Sequence, residues 1–213
     1  MRKLDLFTVI HNGMRAAGFR VAAILAATDF TQHGERASAA EEVIRFIDLL
    51  REHAQHEDLH VLPALLGIDP GLAHALAREH VELELRARDL QLRLSELERS
   101  PTTVSPSTDA PARAVRGALH RLLAGHLLHM DREETEASAA LWTKLSDGEL
   151  AALSQRIFES MPLERTVAWA QLALPTLPLA EQAGVRRALQ QSLPADAWQL
   201  LVEGLSLTTG GVS

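Results

Sequence analysis

Cysteine and tyrosine are absent from this chain of 213 residues, and each absence narrows its chemistry. Without cysteine there is no disulfide framework, no thiolate-bound zinc, no iron–sulfur cluster and no thiol nucleophile. Without tyrosine, a tyrosyl radical is closed to it. Runs of β-branched and aromatic residues of strand type are missing, and no stretch approaches the ~20 apolar residues that a membrane-spanning helix needs. A basic face is missing too: the formal charge is −7, the pI is about 5.8, and no basic cluster is longer than a pair such as Arg186-Arg187. That excludes a nucleic-acid partner and an anionic membrane surface, both of which need clustered positive charge. In the opening MRKLDLFTVIHNGMR, Asp5, His11 and Asn12 interrupt the apolar segment of a secretory signal, so the expectation is a cytoplasmic protein.

What is present is alanine and leucine recurring at threes and fours, the period of a helix with one buried face. A chain this long can bury a core within one domain. The pattern predicts a first helix over residues 3–28 and a second from a capping box at Ser38-Ala-Ala-Glu41 to Gly67. A third opens at Asp69-Pro70 and runs to Arg99, and a fourth spans Pro111 to Leu145. The Pro/Ser/Thr-rich stretch from Ser100 to Ala112 between them reads as a flexible crossover. Four long helices with otherwise short connections suggest an up-down-up-down bundle over 1–145. Beyond it, 146–213 reads as a C-terminal extension of shorter helices, punctuated by Pro162, Pro175, Pro178 and Pro194. Its apolar stripes are expected to pack on the bundle, with a homodimer contact as the alternative.

Three stretches place a histidine four residues ahead of a glutamate: His53/Glu57, His80/Glu84 and His129/Glu133. Residues at that spacing lie one turn along and only about 40° around, so an imidazole and a carboxylate can reach the same metal ion. Two of the pairs also sit in a weak internal repeat, HAQHEDLHVLPALL (53–66) over HMDREETEASAALW (129–142), without gaps. On a helical wheel, Glu57 falls among Phe46, Leu50 and Val61, and Glu133 beside Leu122, Val115 and Leu119. A carboxylate on an apolar face costs several kcal/mol unless it is paired, hydrogen-bonded or metal-bound. His80 lies at the edge of the third helix's leucine stripe and is taken as a ligand; Glu84 falls further out. His11 lies between Ile10 and Met14 on the first helix, and the other histidines make it a ligand candidate rather than an ordinary core residue. His126 faces the apolar side as a further ligand, an outer partner or a core histidine.

His11, then His53-x3-Glu57 ending in Pro63-Ala64-Leu65, then His80, then His129-x3-Glu133 resembles the hemerythrin-like, HHE-type cation-binding proteins in ligand order and spacing over about residues 5–145. The resemblance implies an all-α, antiparallel four-helix bundle in which each helix supplies one histidine and the second and fourth supply bridging carboxylates. His11, His53, His80 and His129 would then be terminal ligands of two non-haem iron ions, and Glu57 and Glu133 the bridges. Two octahedral ions need about 12 positions and this set fills about 8, leaving room for solvent and a small ligand such as oxygen or nitric oxide. The oxygen carriers of the family have a second histidine on the third helix, where this chain offers Glu84, and a histidine–aspartate pair five apart on the fourth. That departure turns the expectation from oxygen transport towards iron-dependent sensing, redox response or iron handling. Binding rather than catalysis is expected, with an oxidase or peroxidase activity as the enzymatic form.

Rival readings are present in the same residues. His56-Glu57-Asp58-Leu59-His60 has the H-E-x-x-H form of a zinc hydrolase, but His56 and His60 point away from the apolar face and leave the repeat unexplained. A metal-free helical interaction protein is the bland alternative. A ferritin-like site expects Glu-x-x-His pairs, the reverse of the order found here. Iron is the expected metal, ahead of zinc and manganese.

Overall fold

The carboxylate of Asp5 accepts the backbone N–H groups of Phe7 and Thr8 at 2.9 and 3.0 Å, and the first helix, α1, starts there and spans Thr8–Ala27. Its expected beginning at residue 3 moves inward because Asp5 satisfies those donors from outside the helix. The computed structural model describes residues 3–99 and 110–209, so most of the crossover expected over 100–112 lies outside the described residues. Among the described residues the structure is helical, with no strand.

The second helix, α2, spans His33–His56 and begins well before the Ser38 capping box. Ser38 is an exposed residue inside it. The turn is closed earlier, by Asp29 accepting the backbone N–H and hydroxyl of Thr31 and by Glu35 accepting the Asp29 N–H at 2.8 Å. Buried Arg36 then ties this turn to the end of a later helix, donating to the carbonyls of Phe30 and Leu97. α2 continues through a π-helical turn, Glu57–Val61, into the short α3, Leu62–Leu66. α4 spans Pro70–Arg99, with Asp69 accepting the Leu72 N–H at 3.0 Å and proline in the first turn. α5, Ala110–Arg132, likewise passes through a π-helical turn, Glu133–Ala137, into α6, Ser138–Lys144.

By its internal contacts the chain divides into two units, Ala17–Lys144 and Met1–Ala16 with Leu145–Ser213. In the larger unit, α4 makes its most extensive contact with α5 and also packs on α2 and α3, and α3 meets α6. The seams are leucine-rich, with Leu76, Leu83, Leu90 and Leu97 facing a core that also holds Val115, Leu119 and Leu122. Each such side chain contributes about 1.5–3 kcal/mol on burial. The α4–α5 approach is close at Gly125, where a Cβ would fall on the side chains of Leu83 and Arg86.

In the other unit, α7 (Asp147–Glu159) opens on a capping box between Ser146 and Glu149. Pro162 and Pro178 stand immediately before α8 (Leu163–Ala173) and α9 (Leu179–Ser192). Pro175 lies in a single 3₁₀ turn, and α10 spans Ala195–Thr209. Val167, Leu174, Leu177, Leu201 and Leu205 form this unit's own apolar cluster. Among the described residues no helix is long and apolar enough to cross a membrane.

Candidate metal centre

Both π-helical turns begin at a glutamate of the internal repeat, Glu57 in one and Glu133 in the other. A π turn adds a residue to the helical circuit and so redirects the side chains around it, and such turns concentrate at functional sites. Here the redirected side chains converge. Glu57, His80, His129 and Glu133 each offer a ligand atom, all within 4.8 Å of one another, and His53 lies within the same limit of Glu57 and Glu133. All five are buried, Glu133 to 1% exposure. His53 Nε2 lies 3.1 Å from Glu57 Oε1, His80 Nε2 is 3.4 Å from Glu57 Oε2, and His129 Nε2 is 3.3 Å from Glu133 Oε1. The rings of His80 and His129 meet edge to face at 4.6 Å.

Two of these imidazoles are held from behind by carboxylates. Asp58 Oδ1 lies 2.7 Å from His80 Nδ1, and Glu79 Oε2 lies 2.8 Å from His129 Nδ1. With the proton on Nδ1 donated to the carboxylate, the Nε2 lone pair of each ring is turned to the cluster, which is the arrangement that fixes a metal-binding tautomer and raises the basicity of the nitrogen. Neither Nε2 has a hydrogen-bond partner in the protein. Adjacent residues of one π turn thus flank both nitrogens of His80: Glu57 stands at Nε2 and Asp58 at Nδ1. Glu79 is in turn fixed by Arg132, at 2.5 Å.

Burial alone would lower the His80 pKa, but the neighbouring Glu57 carboxylate, helped by Asp58, outweighs it and raises it above the ordinary value. Burial would raise the Glu79 pKa, and its hydrogen bonds to His129 and Arg132 reverse that and lower it. A cation needs the neutral imidazole, so metal binding at this centre would displace the proton that Glu57 favours on His80.

Of the remaining candidates, His11 is fully buried on the part of α1 that belongs to the smaller unit, its ring 5.5 Å from that of Phe7. Glu84 lies outside the cluster. It accepts from Arg51 Nε and Nη2 at 2.8 and 3.0 Å and from Arg88 at 2.7 Å, joining α2 to α4. His56 and His60, the histidines of the H-E-x-x-H reading, are in neither donor group, although Glu57 between them is in both. His126 is buried outside both groups, and burial, with the nearby histidines adding to it, drives its pKa down to about 3, so the ring is neutral.

The Arg51 hydrogen bond holds the Glu84 pKa below its ordinary 4.5. The pair therefore stabilises the fold above the unfolded pKa, and that contribution fades as pH falls through the depressed folded value. Because both side chains are partly exposed, the effect is at most about 1 kcal/mol. Denaturant unfolding of wild type and Glu84→Gln should differ at pH 7 and converge towards pH 3; a difference that grew on acidification would contradict this sign.

Glu79 and Arg132 are not among the residues that the sequence singles out, and Asp58 enters only through the repeat and the H-E-x-x-H stretch, not as a partner of His80. The one local sign was adjacency, since Asp58 follows Glu57 and Glu79 precedes His80. The repeat pairs Asp58 with Glu134, yet it is Glu79 on another helix that holds His129.

Five imidazole and carboxylate donors buried together, two of them supported from behind, fit a bound cation. No match was found among curated proteins or among solved structures. A family model described as the hemerythrin HHE cation binding domain matches residues 2–141. This chain, with its buried histidine–glutamate cluster, belongs to the hemerythrin HHE cation-binding domain family.

Proposed function

We propose that this protein binds two non-haem iron ions at the cluster and uses them to take up a small ligand, oxygen, nitric oxide or peroxide, in sensing, redox response or iron handling. The observation that carries the reading is the pair of carboxylate-anchored imidazoles, His80 and His129, whose Nε2 atoms face the buried carboxylates of Glu57 and Glu133. His53 supplies a third imidazole. His11 enters on its place in the family's ligand order. In this reading the long helical stretches run as an antiparallel four-helix bundle, and Glu57 and Glu133 would hold the ions together with the imidazoles.

Mixed imidazole and carboxylate donors without thiolate suit iron better than soft-metal chemistry. Bound iron would supply open coordination positions and a change of oxidation state. The chain's own contribution is to hold the donors in place: Asp58 and Glu79 keep the Nδ1 protons of His80 and His129, and the apolar seams around the cluster keep water out. No residue identifies an organic substrate for the metal, so ligand binding rather than turnover is the expected use.

Protein produced with iron available, and purified without chelator or histidine tag, should contain about two irons per chain by plasma mass spectrometry. A single zinc per chain would favour the H-E-x-x-H alternative, and failure to take up iron on anaerobic reconstitution would overturn the proposal.

A further inference from the structure

A cleft of about 720 Å³ opens between α2 and α4, within the ~300–1,000 Å³ range of small-molecule sites. Most of its lining is apolar, including Leu50, Ala54, Leu62, Ala77, Val81 and Leu83. Its charged lining residues, Arg51, Arg88, Asp58 and Glu84, sum to zero formal charge and are already committed: both arginines bond to Glu84 and Asp58 bonds to His80. An ionic ligand would find no uncommitted counter-charge there.

His126, the lining residue from α5, is different. It is 94% buried by its 6% exposure, and its Nδ1 has no hydrogen-bond partner in the protein. A buried polar nitrogen left unsatisfied costs about 1–3 kcal/mol, so the position favours a ligand group that can reach it. His80 shares the cleft, but its Nδ1 is held by Asp58 and its Nε2 faces Glu57, and the Gln55 amide in the lining is exposed, which leaves His126 as the buried polar anchor. A neutral imidazole both donates and accepts, and so does a hydroxyl.

We propose that this cleft binds a neutral, largely apolar small molecule bearing one hydroxyl group, which His126 anchors by a hydrogen bond. This goes beyond the iron reading and needs no metal for binding, so the two can fail separately.

The test uses 4-propylphenol and propylbenzene, the same apolar body with and without the hydroxyl, titrated calorimetrically into the full chain as isolated and after chelator dialysis. The expected result is saturable binding of both in either state, with 4-propylphenol tighter by roughly two- to tenfold. His126→Phe should retain propylbenzene and bring that ratio to about one, the value for a ligand pair with no hydrogen bond to distinguish them. Ala77→Trp fills the cleft from α4 and Ala54→Trp fills it from α2; each should abolish binding of both probes. Circular dichroism identifies a variant that fails to fold, and the filling variant on the opposite wall then decides. Absence of saturable 4-propylphenol binding to the wild type, binding unchanged in a folded filling variant, or a hydroxyl preference that survives in His126→Phe would overturn the proposal.

Discussion

Glu133→Leu should abolish metal-linked stabilisation and, in the metal-free protein, raise the melting temperature. The two effects have opposite signs because, in the proposed role, one buried carboxylate would serve the metal at the expense of the fold. Glu133 is 1% exposed and Glu57 3%, and their carboxylates lie within 4.8 Å of one another. Two like charges held that close in a dry interior are unfavourable, and burial adds the cost of removing each from water. Leucine has a similar volume and no charge to desolvate. Replacing a buried ionic group by a packed apolar one is often worth about 1–4 kcal/mol, or about 2–16 °C in a protein of this size. His80 and His129 lose a neighbour on the Nε2 side, and each keeps its carboxylate partner at Nδ1.

The metal side of the same variant follows from linkage. Iron at about 100 times its dissociation constant would stabilise the folded state by about 2.7 kcal/mol, and the proposed ligand set without Glu133 would lose that gain. Anaerobic thermal melts with and without ferrous iron check both signs. If the variant gained as much from iron as the wild type, Glu133 would not be a ligand; if its metal-free form melted lower, the cluster would be stabilised by pairing rather than strained by burial.

The repeat and the four-residue histidine–glutamate spacing made most of this cluster legible, because both partners of each pair sit on one helix and local periodicity suffices to put them on one face. The π turns were not legible to a wheel drawn at regular helical steps. Their trace is nonetheless present: the buried positions after the two glutamates are Val61, Leu62 and Leu65 in one arm and Ala137, Ser138 and Leu141 in the other. Both the four-residue step, to Val61 and Ala137, and the five-residue step, to Leu62 and Ser138, reach buried positions, as a turn that widens from the α to the π interval brings about. Ser138 hid the signal in the second arm, since a serine does not read as a core residue. The false capping box at Ser38 failed for the opposite reason. Its local pattern was sound, but Asp29, Glu35 and buried Arg36 had already fixed the helix start through contacts that include a carbonyl as distant as Leu97. Contacts between helices depend on register, which a single helix's periodicity does not carry; Glu79 was invisible for that reason.

Glu79→Ala should weaken iron binding about 10- to 100-fold although it removes no donor from the cluster. The carboxylate acts through His129: its hydrogen bond keeps the ring's proton on Nδ1 and the Nε2 lone pair facing Glu133. Without it, the imidazole is free to exchange tautomers or turn, and only part of its population presents a ligand, which weakens binding by that fraction. Arg132 loses a partner as well, but retains Glu136 at 3.0 Å. A merely structural role would show in the metal-free protein, and there little should change, because Glu79 is 30% exposed and partly exposed pairs are worth at most about 1 kcal/mol. Glu79→Gln keeps an acceptor oxygen and drops the charge, so its affinity should fall between wild type and alanine. Chelator competition gives the three affinities, and metal-free melts provide the control. Asp58→Ala should behave alike through His80, since the geometry at that ring is the same. If alanine at 79 bound iron as tightly as glutamate, or if the glutamine variant were no better than alanine while the metal-free melts fell together, His129 would owe its orientation to core packing and not to the carboxylate behind it.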